Sequence, residues 1–166
     1  CMGGPGVVDN GIHCGANFAP HTPSVRALLV PVSRDVQPGR LSFQFLHASA
    51  ATAQVDVQSV PNMFGSGVHV YLTSRVGFGI IAPKQPYQSY SGEELGIPDG
   101  AELVVYAGTA NEYREHWRDL AGDDAIADER SYLAILLGPS LGSANADGFN
   151  ESRVTLLETG LGRDDD

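Results

Sequence analysis

Basic side chains are scarce in this chain, and long apolar runs are missing. Ten Lys and Arg residues stand against 20 Asp and Glu residues, the formal net charge is −10, and the single lysine is Lys84. Because a phosphate backbone repels such a charge, the composition predicts no nucleic-acid partner and no direct binding to an anionic bilayer. No window holds the roughly 18 consecutive apolar residues that a membrane helix requires. Membrane contact is therefore expected only through a lipid on Cys1, if one is attached.

Cysteine is equally scarce, and both copies lie in the Gly-rich opening stretch CMGGPGVVDNGIHC, as Cys1 and Cys14. A chain that starts at Cys1 without Met is expected to be exported, with its signal removed. Three chemistries fit the pair: a disulfide, a lipid on Cys1, or a metal site that recruits His13. A disulfide leaves no odd thiol and closes a short loop worth about 3 kcal/mol, so it is favoured. Lipidation and metal binding stay open.

Complete catalytic and metal-binding motifs are also lacking. GPSLG matches G-x-S-x-G around Ser140, but all five histidines precede Ser140, whereas a hydrolase of that type needs its histidine later. The histidines show neither H-x-H nor H-E-x-x-H spacing. The sequence therefore predicts no enzyme, no catalytic residue, no metal site and no cofactor. Calcium binding by the acidic stretches at 119–129 and 147–151 stays open, although neither reproduces a calcium loop.

Glycine, proline and short alternating stretches are what the chain does contain, with 20 Gly and 10 Pro. LSFQFLHA and AQVDVQSV alternate apolar and polar residues, which predicts two half-buried strands paired antiparallel. In NEYREHWRDLAG, Asn111 is placed to cap one or two helical turns that present Tyr113, Trp117 and Leu120 on one face. Six further strand candidates follow between turns: VHVYLTS, GFGIIA, YQSYS, AELVVYAG, SYLAILLG and SRVTLLETG. The fold class is therefore an all-β sandwich of about eight or nine strands with one short helix.

The domain organisation is expected to be simple. Residues 1–24 are an N-terminal extension, and residues 25–166 form a single β-sandwich domain. The domain opens with a leader strand, VRALLVPV, in which Pro31 favours an edge position. Its candidate assembly residues are Val25, Ala27, Leu28, Leu29, Val30 and Val32.

The segment LSFQFLHASAATAQVDVQSV resembles the opening of a family of exported bacterial and archaeal domains, domain-of-unknown-function family 4397. The two prolines of the family pattern are absent, and the resemblance extends over about residues 41–138. It implies an immunoglobulin- or transthyretin-like sandwich in a secreted or cell-surface setting, without known catalytic residues. The matching residues are His47, Ala48 and Ser49, then Val55, Asp56 and Val57.

Two functions follow from these observations. The first is a non-catalytic structural or adhesive protein, a possible fibre subunit, whose leader strand adds to a sheet edge of another copy. Other cell-surface proteins or glycans are further candidate partners. The second is a lipid-anchored binding module for a small ligand, glycan or metal, with candidate residues His47, Ser49, Asp56, Tyr87, Tyr90 and Trp117. For His47, Ser49 and Asp56 the simpler interpretation is local organisation of the backbone.

Overall fold

The computed structural model describes residues 29–32, 34–49, 52–61, 68–84, 88–108, 111–121, 126, 128–138 and 152–161. Within these residues the chain forms nine strands and one helix, arranged as two packed sheets. The predicted all-β sandwich with one short helix is confirmed. Some predicted features lie outside the described residues: Cys1, Cys14, Val25, Ala27, Leu28, Tyr87 and the GPSLG motif.

The elements follow one another as β1 (Leu41–His47), β2 (Val55–Val60), β3 (Val70–Val76), β4 (Ile81–Ala82), β5 (Ser89–Tyr90), β6 (Glu102–Ala107), β7 (Asn111–His116), α1 (Trp117–Ala121), β8 (Arg130–Leu137) and β9 (Arg153–Leu161).

The two sheets differ in how their strands are drawn from the chain. The front sheet has the order β4-β1-β8-β9, and β5 pairs with β1 as well. In it β1 and β8 are parallel, while the other pairs are antiparallel. The back sheet has the order β3-β2-β6-β7 and is antiparallel throughout.

The predicted pairing of LSFQFLHA with AQVDVQSV is wrong, because β1 belongs to the front sheet and β2 to the back sheet. Alternate side chains point into the core as expected, but the strands are not half-buried: every residue of β1 is buried, and in β2 every residue except Asp56. Phe43 and Phe45 of β1 face Val55 and Val57 of β2 across the sandwich, all in one buried cluster. The two strands therefore meet through their side chains rather than through backbone hydrogen bonds.

The core lies between the sheets and is closed at one side by α1, which packs against β7 and β9. Trp117 is 1% exposed, and its ring meets Phe43 edge to face with centroids 5.5 Å apart. Its indole N–H donates to Ser59 Oγ at 2.8 Å, and Ser59 Oγ donates to the Leu95 carbonyl at 2.7 Å. The largest buried side chain thus has its polar atom satisfied.

The helix predicted for residues 111–121 is present only in its second half. Residues 111–116 form β7, and Asn111 is not a cap. Tyr113 packs on the core both in the predicted helix and in the observed strand, so its spacing did not separate the two. The deciding factor is β6, which supplies a full antiparallel ladder from Glu102↔His116 onward. The helix starts at Trp117, whose backbone N–H donates to the Ala101 carbonyl.

Candidate functional site

The outer face of the front sheet carries an unusual set of residues for a surface that ordinarily meets water. Alternate residues of β1 point away from the core, and each has a neighbour on β8. The rows run from small polar to apolar: Ser42 beside Ser131, Gln44 beside Leu133, and Leu46 beside Ile135. We call these six residues the outer face.

Five of the six residues of the outer face are buried, and Ile135 is half-buried. Ser42 is 1% exposed, Leu46 is 7% and Leu133 is 5%. A sandwich normally leaves the far side of each sheet to solvent. The front sheet is therefore covered on both sides, as the continuous apolar run of β8 requires.

At the polar end of the outer face, the side chains form hydrogen bonds with other parts of the chain. The Gln44 side-chain amide donates to the Pro83 carbonyl at 3.2 Å. The Thr159 hydroxyl donates to the Ser131 carbonyl and contacts Ser131 Oγ, both at 3.1 Å. Burial of this face is therefore built into the fold rather than an isolated apolar contact.

An N-terminal segment lies on the outer face. We call residues 29–32 and 34–36 the arm. Val30 of the arm packs against a cluster formed by Leu46, Ile81 and Leu133. Among the described residues, Val30 is the member of that cluster contributed from outside the sheet and its adjoining turn.

A second pair of contacts holds the other end of the arm. Ser42 Oγ donates to the Asp35 carbonyl at 2.6 Å. Arg34 passes close over Gly160, where an added Cβ would lie 3.1 Å from the Arg34 Cβ. The arm thus runs from the apolar end of the outer face to its polar end, opposite in direction to β1.

The predicted leader strand is corrected by this arrangement. Its described part, residues 29–32, is not in a strand, and Leu29 is fully exposed. Pro31 has no N–H to give to a ladder. The segment packs onto a face of the sheet and does not extend an edge.

A tight turn connects the arm to β1. The Arg40 N–H donates to the Gln37 carbonyl at 3.0 Å, and Gly39 has φ +66°. Pro38 before a glycine of positive φ is the pattern of a type II turn. Glu129 fixes the turn from β8, because its Oε1 accepts the Gly39 N–H at 3.0 Å and its own N–H donates to the Arg40 carbonyl at 2.7 Å.

His47, a predicted binding residue, is fully buried at the point where the chain leaves the front sheet. Ser49 N–H donates to Nδ1 at 3.3 Å, so Nδ1 carries no proton and Nε2–H donates to the Ala53 carbonyl at 2.8 Å. Phe78 stands edge-on to the ring at 6.4 Å. Burial lowers the pKa of His47 below 6.5, which keeps the ring neutral. The side chain organises the β1–β2 connection.

Ser49 and Asp56 have comparable local roles. Ser49 Oγ shares a 2.5 Å hydrogen bond with Thr52 Oγ1 inside the same connection. Asp56 Oδ1 accepts the N–H of Arg75 at 2.8 Å, and Arg75 has the left-handed φ of 54°. The carboxylate thereby stabilises the irregular β2–β3 ladder. These contacts agree with the simpler interpretation of backbone organisation.

The two predicted aromatic binding residues that are described do not form a common surface. Trp117 is in the core, as above. Tyr90 is half-buried on β5, and its hydroxyl donates to Gln88 Oε1. Burial, together with the nearby charge of Glu94, raises the pKa of Tyr90 to about 12.

A shallow cleft lies at the side of the sandwich near α1, where its lining residues His116 and Arg118 flank the buried Trp117 in the chain. It encloses about 440 Å³, counting space open to solvent, and is lined by Ile97, Gly100, Ala101, His116, Arg118 and Asp119. His116 Nδ1 lies 3.1 Å from the Gly100 carbonyl. Close by, burial and the charge of Asp119 raise the pKa of Glu115.

The turn at Ile97–Gly100 beside this cleft was predicted, but the capping box that begins the preceding turns was not, although a sequence signal exists. In SGEE, the Ser91 N–H donates to Glu94 Oε2 at 2.9 Å and the Glu94 N–H donates to Ser91 Oγ at 3.1 Å. This reciprocal pair is a capping box, which the S-x-x-E spacing predicts. It begins the run of turns from Gly92 to Gly100.

The described part of the chain holds no group of three or more His, Cys, Asp or Glu side chains arranged to bind a metal ion. Across those same residues, no helix has the length and apolar character needed to cross a membrane.

No protein-family model, no curated protein and no solved structure matches this chain. The resemblance noted for the His-Ala-Ser and Val-Asp-Val segments therefore rests on those residues themselves.

Proposed function

We propose that this protein is a non-catalytic structural or adhesive β-sandwich of the cell surface or extracellular space, and that it associates with copies of itself through its N-terminal arm. The observation that supports this is the apolar end of the outer face, where an arm that belongs to neither sheet places Val30 against Leu46 and Leu133. The extracellular setting is supported by the resemblance of residues 47–57 to exported domains.

The contacts of the arm favour a removable cover. A strand inside a sheet is held by a ladder of backbone hydrogen bonds, whereas the described part of the arm lies in no strand, and its contacts include Val30 in the cluster, the Ser42–Asp35 hydrogen bond and the passage of Arg34 over Gly160. Each contact contributes on the order of 1–2 kcal/mol. Releasing the arm is therefore expected to cost far less than unfolding the sandwich.

Association is tested with a matched pair of arm variants. Val30→Asp places a charge in the cluster, while Val32→Asp changes a more exposed valine on the same arm. We expect the full chain and Val32→Asp to form multimers, and Val30→Asp to lose them, in size-exclusion chromatography with light scattering. Negative-stain images would show whether the multimers are fibres. A full chain that is monomeric at every concentration would contradict the proposal.

The binding-module alternative is favoured by the cleft near α1, since apolar Ile97 and Ala101 lie beside charged Arg118 and Asp119. Its test is a titration of isotope-labelled protein with monosaccharides, read as amide chemical shifts. Shifts confined to the cleft would support this alternative, and their loss in Arg118→Ala would locate the contact. Unchanged spectra would remove glycans as its ligand.

A further inference from the structure

We propose that the outer face of one copy accepts the arm of a second copy, with Val30 of the donor entering the Leu46–Ile81–Leu133 cluster of the acceptor. This inference rests on the proposed self-association and adds the acceptor surface, the register and the hinge. The occupant is a second copy of this chain, because the segment that fits the surface is already seated on it within one copy.

The register follows from two contacts at opposite ends of the arm. Val30 fits the apolar row, and the Asp35 carbonyl accepts from Ser42 in the polar row. The apolar contact alone does not set the register, because a shift by two residues would place another apolar side chain, Leu28 or Val32, against Leu133. A donated arm that makes both contacts lies in the same register as the native one.

The hinge is the peptide region between Asp35 and Gln37. The turn that follows is set by Pro38 and Gly39 and is held by Glu129, and none of these contacts involves the arm. The turn thus keeps its shape when the arm leaves. Gln37 precedes a proline and so prefers an extended backbone.

Exchange keeps the local contacts unchanged. The donated arm meets the same Leu46, Leu133 and Ser42 side chains in the acceptor as it does at home, so the exchange creates no new interface chemistry. Exchange changes the direction of the chain at the hinge, and it removes the independent motion of the two copies. At high local concentration this loss becomes small, as it does for other exchanged elements.

The experiment is a mixed cross-linking assay in a Cys1→Ser, Cys14→Ser background. Two single variants, Val30→Cys and Leu133→Cys, are mixed, allowed to exchange and treated with a short bis-maleimide. We expect a cross-linked dimer of the two different chains, because one thiol reaches the other only when the arm has crossed. Val32→Cys mixed with Leu133→Cys is the control, and its yield should be at least severalfold lower. Leu46→Cys replaces Leu133→Cys if the latter fails to fold.

The outcomes separate this inference from the proposed function. A cross-link between the two chains supports the inference. Multimers of the unmodified chain without that cross-link overturn the inference and leave self-association in place through another surface. A chain that stays monomeric and forms no cross-link overturns both. A double variant, Val30→Cys with Leu133→Cys, should be monomeric once cross-linked within one copy, and continued assembly of that locked form would also overturn the inference.

Discussion

The two sheets cover their outer faces in different ways. On the back sheet, Val104 is fully buried although it points away from the core, and long side chains on neighbouring strands surround it. The Arg114 guanidinium reaches the Glu102 carboxylate at 2.6 Å across the β6–β7 ladder. On the front sheet, Leu133 is covered in part by Val30, which comes from a separate segment. The outer face of the back sheet is thus covered by side chains of its own strands, whereas that of the front sheet is covered in part by a separate segment.

The two covers differ in how they can be removed from the sheet beneath them. A cover made of side chains on the same sheet leaves only when the sheet unfolds, because the stems of such side chains lie on the apolar surface they protect. A cover made of a chain segment leaves by rotation at one hinge. In the proposed association, release of the arm would make an apolar surface of the front sheet available without loss of the sandwich.

The comparison would fail most clearly if truncating a leucine on the outer face cost no more stability than truncating an exposed leucine. We expect Leu133→Ala to lower the free energy of unfolding by about 2–4 kcal/mol, because a buried leucine leaves a cavity. Leu157, beside it on β9, is 44% exposed, and Leu157→Ala should cost less than about 1 kcal/mol. Denaturant unfolding of both variants gives the two values. Equal losses would mean that the arm does not protect this face.

Lowering the pH tests the β1–β2 connection between the two sheets, where His47 is buried. Because burial lowers the pKa of His47 below 6.5, the unfolded chain binds this proton more tightly than the folded chain. Stability from the neutral ring is complete above pH 6.5 and declines as pH falls below it, by up to about 1.4 kcal/mol per unit.

The measurement is unfolding at a series of pH values between about 7.5 and 5.5. His47→Gln should flatten the decline, whereas the exposed His69→Gln should follow the original chain. A decline that is identical in all three proteins would assign it to other groups. Protonation of Nδ1 also removes the acceptor of the Ser49 N–H, so the effect should appear first in amide signals of residues 48–54.

Two non-glycine residues among those described have positive φ, one on an edge strand of the back sheet and one just before β8 of the front sheet, and they should respond oppositely to glycine. Arg75 in the back sheet has φ 54°, and Glu129 beside β8 has φ 65°. Arg75→Gly should raise the free energy of unfolding by up to about 1 kcal/mol by relieving strain. Glu129→Gly should not, since it removes the acceptor that holds Gly39. Thermal unfolding compares them, and a gain in both would show that Glu129 does not anchor the turn of the arm.

The smallest expected effect tests the cover of the back sheet. Arg114→Met keeps an aliphatic stem and removes the ion pair with Glu102, which should change stability by less than about 0.5 kcal/mol. Arg114→Ala removes the stem as well and should cost about 0.5–1 kcal/mol more. High-precision denaturant titrations in low and high salt separate the two contributions. A loss confined to low salt would show that charge, rather than the stem, protects this face.

Much of the fold followed from alternation, because Leu41, Phe43 and Phe45 identified the inward side of β1. Alternation fixes which way a side chain points and says nothing about which strand lies beside it, so the parallel β1–β8 pairing was not predictable. The burial of the outer face did have a signal. SYLAILL is apolar on consecutive positions, which is typical of a strand buried on both sides.

The candidate site was predicted in part. The apolar character of residues 25–32 drew attention to Val30, whose role in assembly stays a prediction, but the pattern could not separate a strand from an arm that lies on a face. The choice depended on Pro31 and on the presence of Leu46 and Leu133 in a distant part of the chain. The sequence also drew attention to the His-Ala-Ser segment. It could not show that Phe78 from the β3–β4 connection packs against His47.

The parallel pairing of β1 with β8 has a consequence for synthesis. Strands of the back sheet come from one continuous stretch, from Val55 to His116, so they can assemble as soon as that stretch has emerged. Ser42 must wait for Ser131 before the front sheet has its central pair. At about 5–20 residues per second, β1 spends several seconds with only the short β4 and β5 as sheet partners. During that interval the apolar residues of β1 lack the strand that flanks them in the folded sheet.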